Sequence, residues 1–246
     1  MYKMSTKNKT NLISEFSNLF FFWILAILFF FLFRLSFILL YHSDINSNLS
    51  FFDFTKAFFM GFRFDTTVVS YFLIIPLLCT YIFIPLNKIN LVIKIRFLFQ
   101  RFFVFTSVLI SIITLNYYKE YKEQFNHFLF MGLHDDKKAV FHSIISDFSP
   151  IQNGILILFL IYLFKKIFSF FENKNRIYTS INSFNFKFRE IYFSILIFIL
   201  FLGSIRASFT EYPVRRFYAS VTSDEFVNKT ITNPFRSLNY AITDYN

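Results

Sequence analysis

Long uninterrupted apolar runs govern what this chain can fold into. A helix needs about 20 consecutive apolar residues to cross a hydrocarbon core of about 30 Å. Such runs stand at residues 19–41, 66–84, 97–117 and 151–171, and a shorter one at 191–202 reaches span length only if it extends from about Phe186 to Ile205. With 55% hydrophobic residues and 43 Phe in 246, the chain carries more apolar surface than a soluble domain of this size can bury. The expectation is an all-α, polytopic membrane protein with five transmembrane helices. Lys3, Lys7 and Lys9 ahead of the first run imitate a signal peptide. The run is too long for a signal core and no small-residue cleavage site comes after it, so it reads as a retained first span.

The net charge of +10 does not describe a nucleic-acid surface, because the bases lie in short loops between apolar runs, where they set topology. On one side, Lys3, Lys7 and Lys9 against Glu15 give +2, and Lys88, Lys94, Arg96 and Arg101 give +4. On the same side, six bases from Lys165 to Arg189 against Glu172 and Glu190 give +4. On the other side, Lys56 and Arg63 against Asp44, Asp53 and Asp65 give −1, and four bases against five acids between Lys119 and Asp147 give −1. The positive-inside rule then places the N-terminus on the cytoplasmic side, and five crossings place the C-terminus on the other. The single cysteine, Cys79, sits inside an apolar run and says nothing of redox compartment.

The segments between spans carry helical signals of their own. From Ser50 the run SFFDFTKAFFMGFRFD puts Asp53, Lys56 and Arg63 on one stripe, which predicts an interfacial helix before the chain turns at Asp65. Between Asp135 and Asp147, Phe141, Ile144, Ile145 and Phe148 recur at i, i+3, i+4 and i+7, a second amphipathic helix that Pro150 ends. In the tail, the Thr222 to Glu225 spacing predicts a capping box before Phe226. Asn233 followed by Pro234 predicts a second helix whose Phe235, Leu238 and Ile242 face one way. Residues 1–205 are therefore expected to form the five-span domain, and 206–246 an extracytoplasmic helical linker.

Three charged side chains are candidates to hold a lipid headgroup. Arg34 lies two-thirds of the way through the first run, and Arg63 and Asp65 lie at the mouth of the second. A charge within a span is a functional hypothesis by default. The alternatives are a snorkelling arginine or a structural ion pair. His127, His134, Asp135, Asp136 and His142 match no tight metal-ligand spacing, so no metal site is expected. No phosphate-binding loop, dinucleotide fingerprint or nucleophile beside clustered ligands occurs, so no catalytic residue is assigned. Asn8, Asn48 and Asn228 each open an N-x-S/T triplet, which means nothing without a glycosylating host.

Two stretches, GFRFD at 61–65 and IRASF with YPVRRFYASVTSDEFVNKTITNPFRSLNYAI at 205–242, together with the expected topology, form a recognisable pattern. It resembles the membrane part of lipoteichoic acid synthase-like phosphoglycerol transferases of the alkaline phosphatase/sulfatase superfamily, bacteroidete-type, with Asn228, Asn233 and Pro234 on the family's pattern. The resemblance implies a place in a bacterial inner (cytoplasmic) membrane and a linker leading to a hydrolase domain with a threonine nucleophile and a divalent metal such as manganese, which moves phosphoglycerol from phosphatidylglycerol or another phospholipid. On this reading the catalytic domain is absent from the chain, the linker is incomplete, and the partners are membrane lipids and a C-terminal or separate hydrolase domain. The alternative is a stand-alone, non-catalytic membrane module that binds a partner enzyme or lipid. A transporter is disfavoured because the spans show no internal repeat.

Overall fold

The computed structural model describes residues 6–45, 48–131, 148–181, 189–208 and 213–245, with a few positions between 138 and 146. The helices are α1 (Thr6–Leu40), α2 (Phe51–Phe83), α3 (Ile89–Tyr121), a single turn α4 (Phe128–Met131), α5 (Pro150–Ile181), α6 (Arg189–Arg206), α7 (Glu225–Ile231) and α8 (Pro234–Tyr245). Among the described residues there is no strand. Four helical stretches are long and apolar enough to cross a membrane: Ser14–Leu40, Phe51–Phe83, Ile89–Tyr121 and Pro150–Asn173. The fifth expected span falls on α6, of which the described apolar stretch is Ile195–Arg206.

Local chemistry sets the helix ends. Ser50 caps α2 through a reciprocal box, its Oγ accepting from the Asp53 amide at 3.3 Å while the Asp53 carboxylate accepts from the Ser50 amide at 3.2 Å. Because this box starts a helix that continues to Phe83, the predicted separate interfacial helix is instead the first four turns of α2. The second predicted amphipathic helix, at 135–147, lies mostly outside the described residues. Lys122 closes α3 in the left-handed conformation, φ 53°, its amide bonded to the Tyr118 carbonyl. The cap of α7 is Asp224, not the expected Thr222: the Asp224 carboxylate accepts from the Val227 amide at 2.9 Å. Thr222 bonds the Asn228 side chain instead, at 2.9 Å.

α1, α2 and α3 form a three-helix centre, with α5 against α1 and α3 and α6 against α2 and α1. Aromatic edges fill the centre: Phe22 meets Phe103 and Phe168 edge-on, at 5.7 Å in each case, and Phe30 meets Phe103 at 6.1 Å. Trp23 Nε1 donates to Ser70 Oγ at 3.2 Å, which satisfies an indole that would otherwise be unpaired in an apolar site. The outward face of α5 (Ile151, Ile155, Leu158, Phe159, Tyr162) is exposed and apolar, as a lipid-facing helix requires.

Candidate functional site

The tail does not hang free of the bundle. α7 and α8 pack on α1, α2 and α3, and Phe235, at the start of α8, lies among Phe30, Phe72 and Phe103 at 5.3–6.3 Å between ring centres. Those three phenylalanines are mid-helix residues of the centre. The turn between α7 and α8 is thus keyed between the long helices.

Just above this key, Arg34 and Asp65 meet. Two guanidinium nitrogens of Arg34 donate to the two carboxylate oxygens of Asp65 at 3.0 and 3.1 Å, a bidentate fork. The remaining hydrogen bonds of Arg34 go to the tail: Nε to the Thr230 carbonyl at 3.0 Å and Nη2 to the Ile231 carbonyl at 3.2 Å. These are C-terminal carbonyls of α7, which have no partner within their own helix. Asn233 Nδ2 donates to Asp65 at 2.8 Å while its Oδ1 caps α8 by accepting from the Phe235 amide at 3.0 Å. Arg34 is 2% exposed, and Asp65 and Asn233 are fully buried.

Gly61 makes this possible. A methyl group at its Cα would overlap the guanidinium carbon of Arg34, so only glycine lets the cation cross the face of α2. Arg63, two residues before Asp65, serves the other end of the tail. Its Nε donates to the Ala207 carbonyl at 2.8 Å, where φ is 46° and α6 stops, and its guanidinium lies 5.7 Å from the Tyr218 ring. Of the three expected headgroup candidates, Arg34 and Asp65 are therefore buried together, and Arg63 is half-buried against the start of the tail. Asn228, read from sequence as the opening of a triplet, accepts from the Val221 and Thr222 amides and donates to the Thr222 carbonyl, so it ties down the loop before α7.

Sequence reasoning missed a second buried cation at the opposite end of the bundle. Arg96 is 1% exposed and donates to Glu15 of α1 at 2.7 Å, to Glu172 of α5 at 2.6 Å and to Gln100 of its own helix at 3.3 Å. Its guanidinium also faces Phe97 at 4.6 Å. The signal was present: Glu15, Arg96 and Glu172 lie at helix ends that the alternation of spans brings to the same side.

Neither cluster offers acid–base or nucleophilic chemistry. Both carboxylate oxygens of Asp65 accept from Arg34, and the pair is a fastening. His127 and His142 are exposed, His134, Asp135 and Asp136 lie outside the described residues, and among the described residues no three His, Cys, Asp or Glu side chains converge as metal ligands. Set beside known proteins, the chain matches no family model, no curated protein and no solved structure.

Proposed function

We propose that this chain is the membrane anchor and linker region of a lipoteichoic acid synthase-like phosphoglycerol transferase, which holds a metal-dependent hydrolase domain at the outer face of a bacterial cytoplasmic membrane. The observation that carries the reading is that four residues of the resemblance, Gly61, Arg63, Asp65 and Asn233, lie where the tail docks. Gly61, Arg63 and Asp65 from one stretch and Asn233 from the other build the contact between bundle and tail, while Asn228 fixes the loop before α7 and Pro234 is buried at the start of α8. A domain attached after such a tail would sit on a fixed platform and not on a loose tether. The manganese-type metal that the resemblance implies would be held by that domain.

Membrane depth supports the same picture. Exposed Arg101, Lys165 and Lys166 mark a basic level beside Phe103 and Phe164, both of which touch Phe22. From Phe22 to Phe30 is eight residues, about 12 Å of helix, in a hydrocarbon core of about 30 Å. Phe235, against Phe30, then lies near the bilayer midplane, with Arg34 about 6 Å above it. Irregular backbone between α7 and α8 is tolerated at that depth because protein surrounds it.

Topology and activity test the reading separately. In a Cys79→Ser background, cysteine at Ser220 is expected to react with a membrane-impermeant maleimide on intact cells, and cysteine at Asn87 only after permeabilisation; the reverse pattern overturns the orientation. Membranes containing the chain with the products of its downstream reading frame or adjacent genes are expected to release diacylglycerol from phosphatidylglycerol vesicles when manganese is added. Absence of any encoded metallohydrolase, or no turnover, overturns the transferase assignment.

A further inference from the structure

At the end of the bundle opposite the tail, Glu15 and Glu172 both turn onto Arg96. The exposed cations nearby gain nothing from them: Arg101 of α3 and Lys165 of α5 lie on the surface, and no carboxylate among the described residues pairs with either. Helix geometry brings these two cations to one seam. Glu172 reaches from α5 to Arg96 of α3, and Lys165, two turns earlier in α5, shares its face. Phe97 packs on the core that Phe164 and Phe168 of α5 help to build, and Arg101, one turn later in α3, shares its face, with the guanidinium 5.8 Å from the Phe97 ring. Because α3 and α5 run in opposite directions, Arg101 lies about 8 Å and Lys165 about 11 Å from the Arg96–Glu172 contact, both toward the midplane.

Two cations flanking one seam at one depth repel each other, and an anion between them removes the repulsion. Charge and surroundings describe that anion. Arg96, Arg101 and Lys165 against Glu15 and Glu172 leave one positive charge, which a single phosphodiester cancels. Ser169, exposed on α5 one turn beyond Lys165, adds a hydroxyl donor on the headgroup side. One turn toward the midplane from the two cations, Phe105 and Tyr162 are 50% and 59% exposed and give the seam an aromatic wall. A soluble anion makes no use of such a wall, whereas acyl chains lie along it.

We propose that the seam between α3 and α5 seats an acidic phospholipid of the leaflet opposite the tail, its phosphate between Arg101 and Lys165 and its acyl chains along Phe105 and Tyr162. The site rests on the membrane-spanning character of the bundle and stands apart from the anchor reading, since it needs neither a hydrolase domain nor a particular orientation. Lys166 lies at the same depth but a third of a turn further round α5, away from the seam, and supplies a matched control.

Trp23 is the single tryptophan, so the full chain carrying Trp23→Phe and Phe105→Trp reports on this seam alone. In nanodiscs, its fluorescence is quenched by phosphatidylglycerol or phosphatidylcholine brominated on the acyl chains. The expected result is a preference of about tenfold for phosphatidylglycerol, cut about fivefold by Arg101→Gln or by Lys165→Gln and abolished in the double variant. Arg101→Lys should keep most of the preference, and Lys166→Gln all of it. Unfolding midpoints in pure phosphatidylcholine are expected to match the parent for every variant, because the replaced side chains are exposed, so a lost preference reads as a lost contact. Equal quenching by the two lipids, an equal loss from Lys166→Gln, or relief of the phosphatidylglycerol preference by millimolar inorganic phosphate each overturns the proposal.

Discussion

Arg34 and Arg96 are both buried arginines between helices, yet they fasten different things. Among the described residues Arg96 joins α1, α3 and α5 through side chains alone, and two carboxylates surround one cation. Arg34 faces one carboxylate, and its other hydrogen bonds among the described residues go to backbone carbonyls of the tail. One cluster ties the bundle to itself; the other ties the bundle to the tail. Replacing a buried ion pair by apolar residues is often nearly neutral, whereas removing one partner is severe. The backbone component makes Arg34 the harder of the two to replace.

That difference can be broken first at the charges themselves. Arg34→Ala or Asp65→Ala strands a buried charge and is expected to cost about 3–5 kcal/mol, with a cysteine at Phe235 in the Cys79→Ser background becoming reactive toward maleimide in detergent. The double variant Arg34→Met with Asp65→Leu should recover only part of this, because the Thr230 and Ile231 carbonyls stay unpaired at about 1–3 kcal/mol each. Arg96→Met with Glu15→Gln and Glu172→Gln should recover most of the loss from Arg96→Met alone, since the hydrogen bonds of Arg96 among the described residues all go to side chains. Equal recovery at both sites, read by thermal unfolding, would erase the distinction.

A smaller effect sharpens it. Gly61→Ala overpacks the Arg34 crossing and is expected to cost about 1–3 kcal/mol. In combination with Arg34→Ala the two losses should fall short of their sum, because the clash disappears with the guanidinium. No such coupling is expected with Arg96→Met.

The smallest effect lies at the end of the bundle that carries the tail, outside the spans. The Asp44 carboxylate accepts from Lys122 Nζ at 2.8 Å and from the Tyr118 hydroxyl at 3.0 Å, and these bonds, Lys122 first, hold its carboxyl below the ordinary range. A carboxyl lowered by folding contributes stability that is present above its unfolded pKa and is lost as pH falls through its folded pKa. Asp44→Asn is expected to cost about 0.5 kcal/mol at neutral pH, the scale of an exposed pair. The difference from the parent should vanish in acid below the ordinary carboxylate range.

Much of the Arg34 site was legible residue by residue. A lone arginine in an apolar run, an aspartate at a span mouth and an Asn-Pro start each carry their own physical signal, and all three lie in the cluster. Their meeting was not legible, because the partners lie 31 and about 200 residues from Arg34 along the chain and nothing local links them. Arg96 is hidden for a different reason. Standing among Lys88, Lys94 and Arg101, it counts toward orientation, and only three-dimensional packing separates it from the exposed Lys94 and Arg101. The interfacial helix does not stand alone because Asp53, one of three charges on a polar stripe in the sequence, is half of the capping box that starts α2.

The unbroken length of α2 has one more consequence. Thirty-three residues make a rod of about 50 Å, about 20 Å longer than the hydrocarbon core. Its first turns carry Phe51 and Phe52, 88% and 65% exposed, while its middle is pinned by the Arg34 crossing. A thicker or thinner bilayer therefore meets a lever with a fixed fulcrum, and hydrophobic mismatch is taken up by tilting the aromatic end into or out of the lipid while the tail keeps its seat.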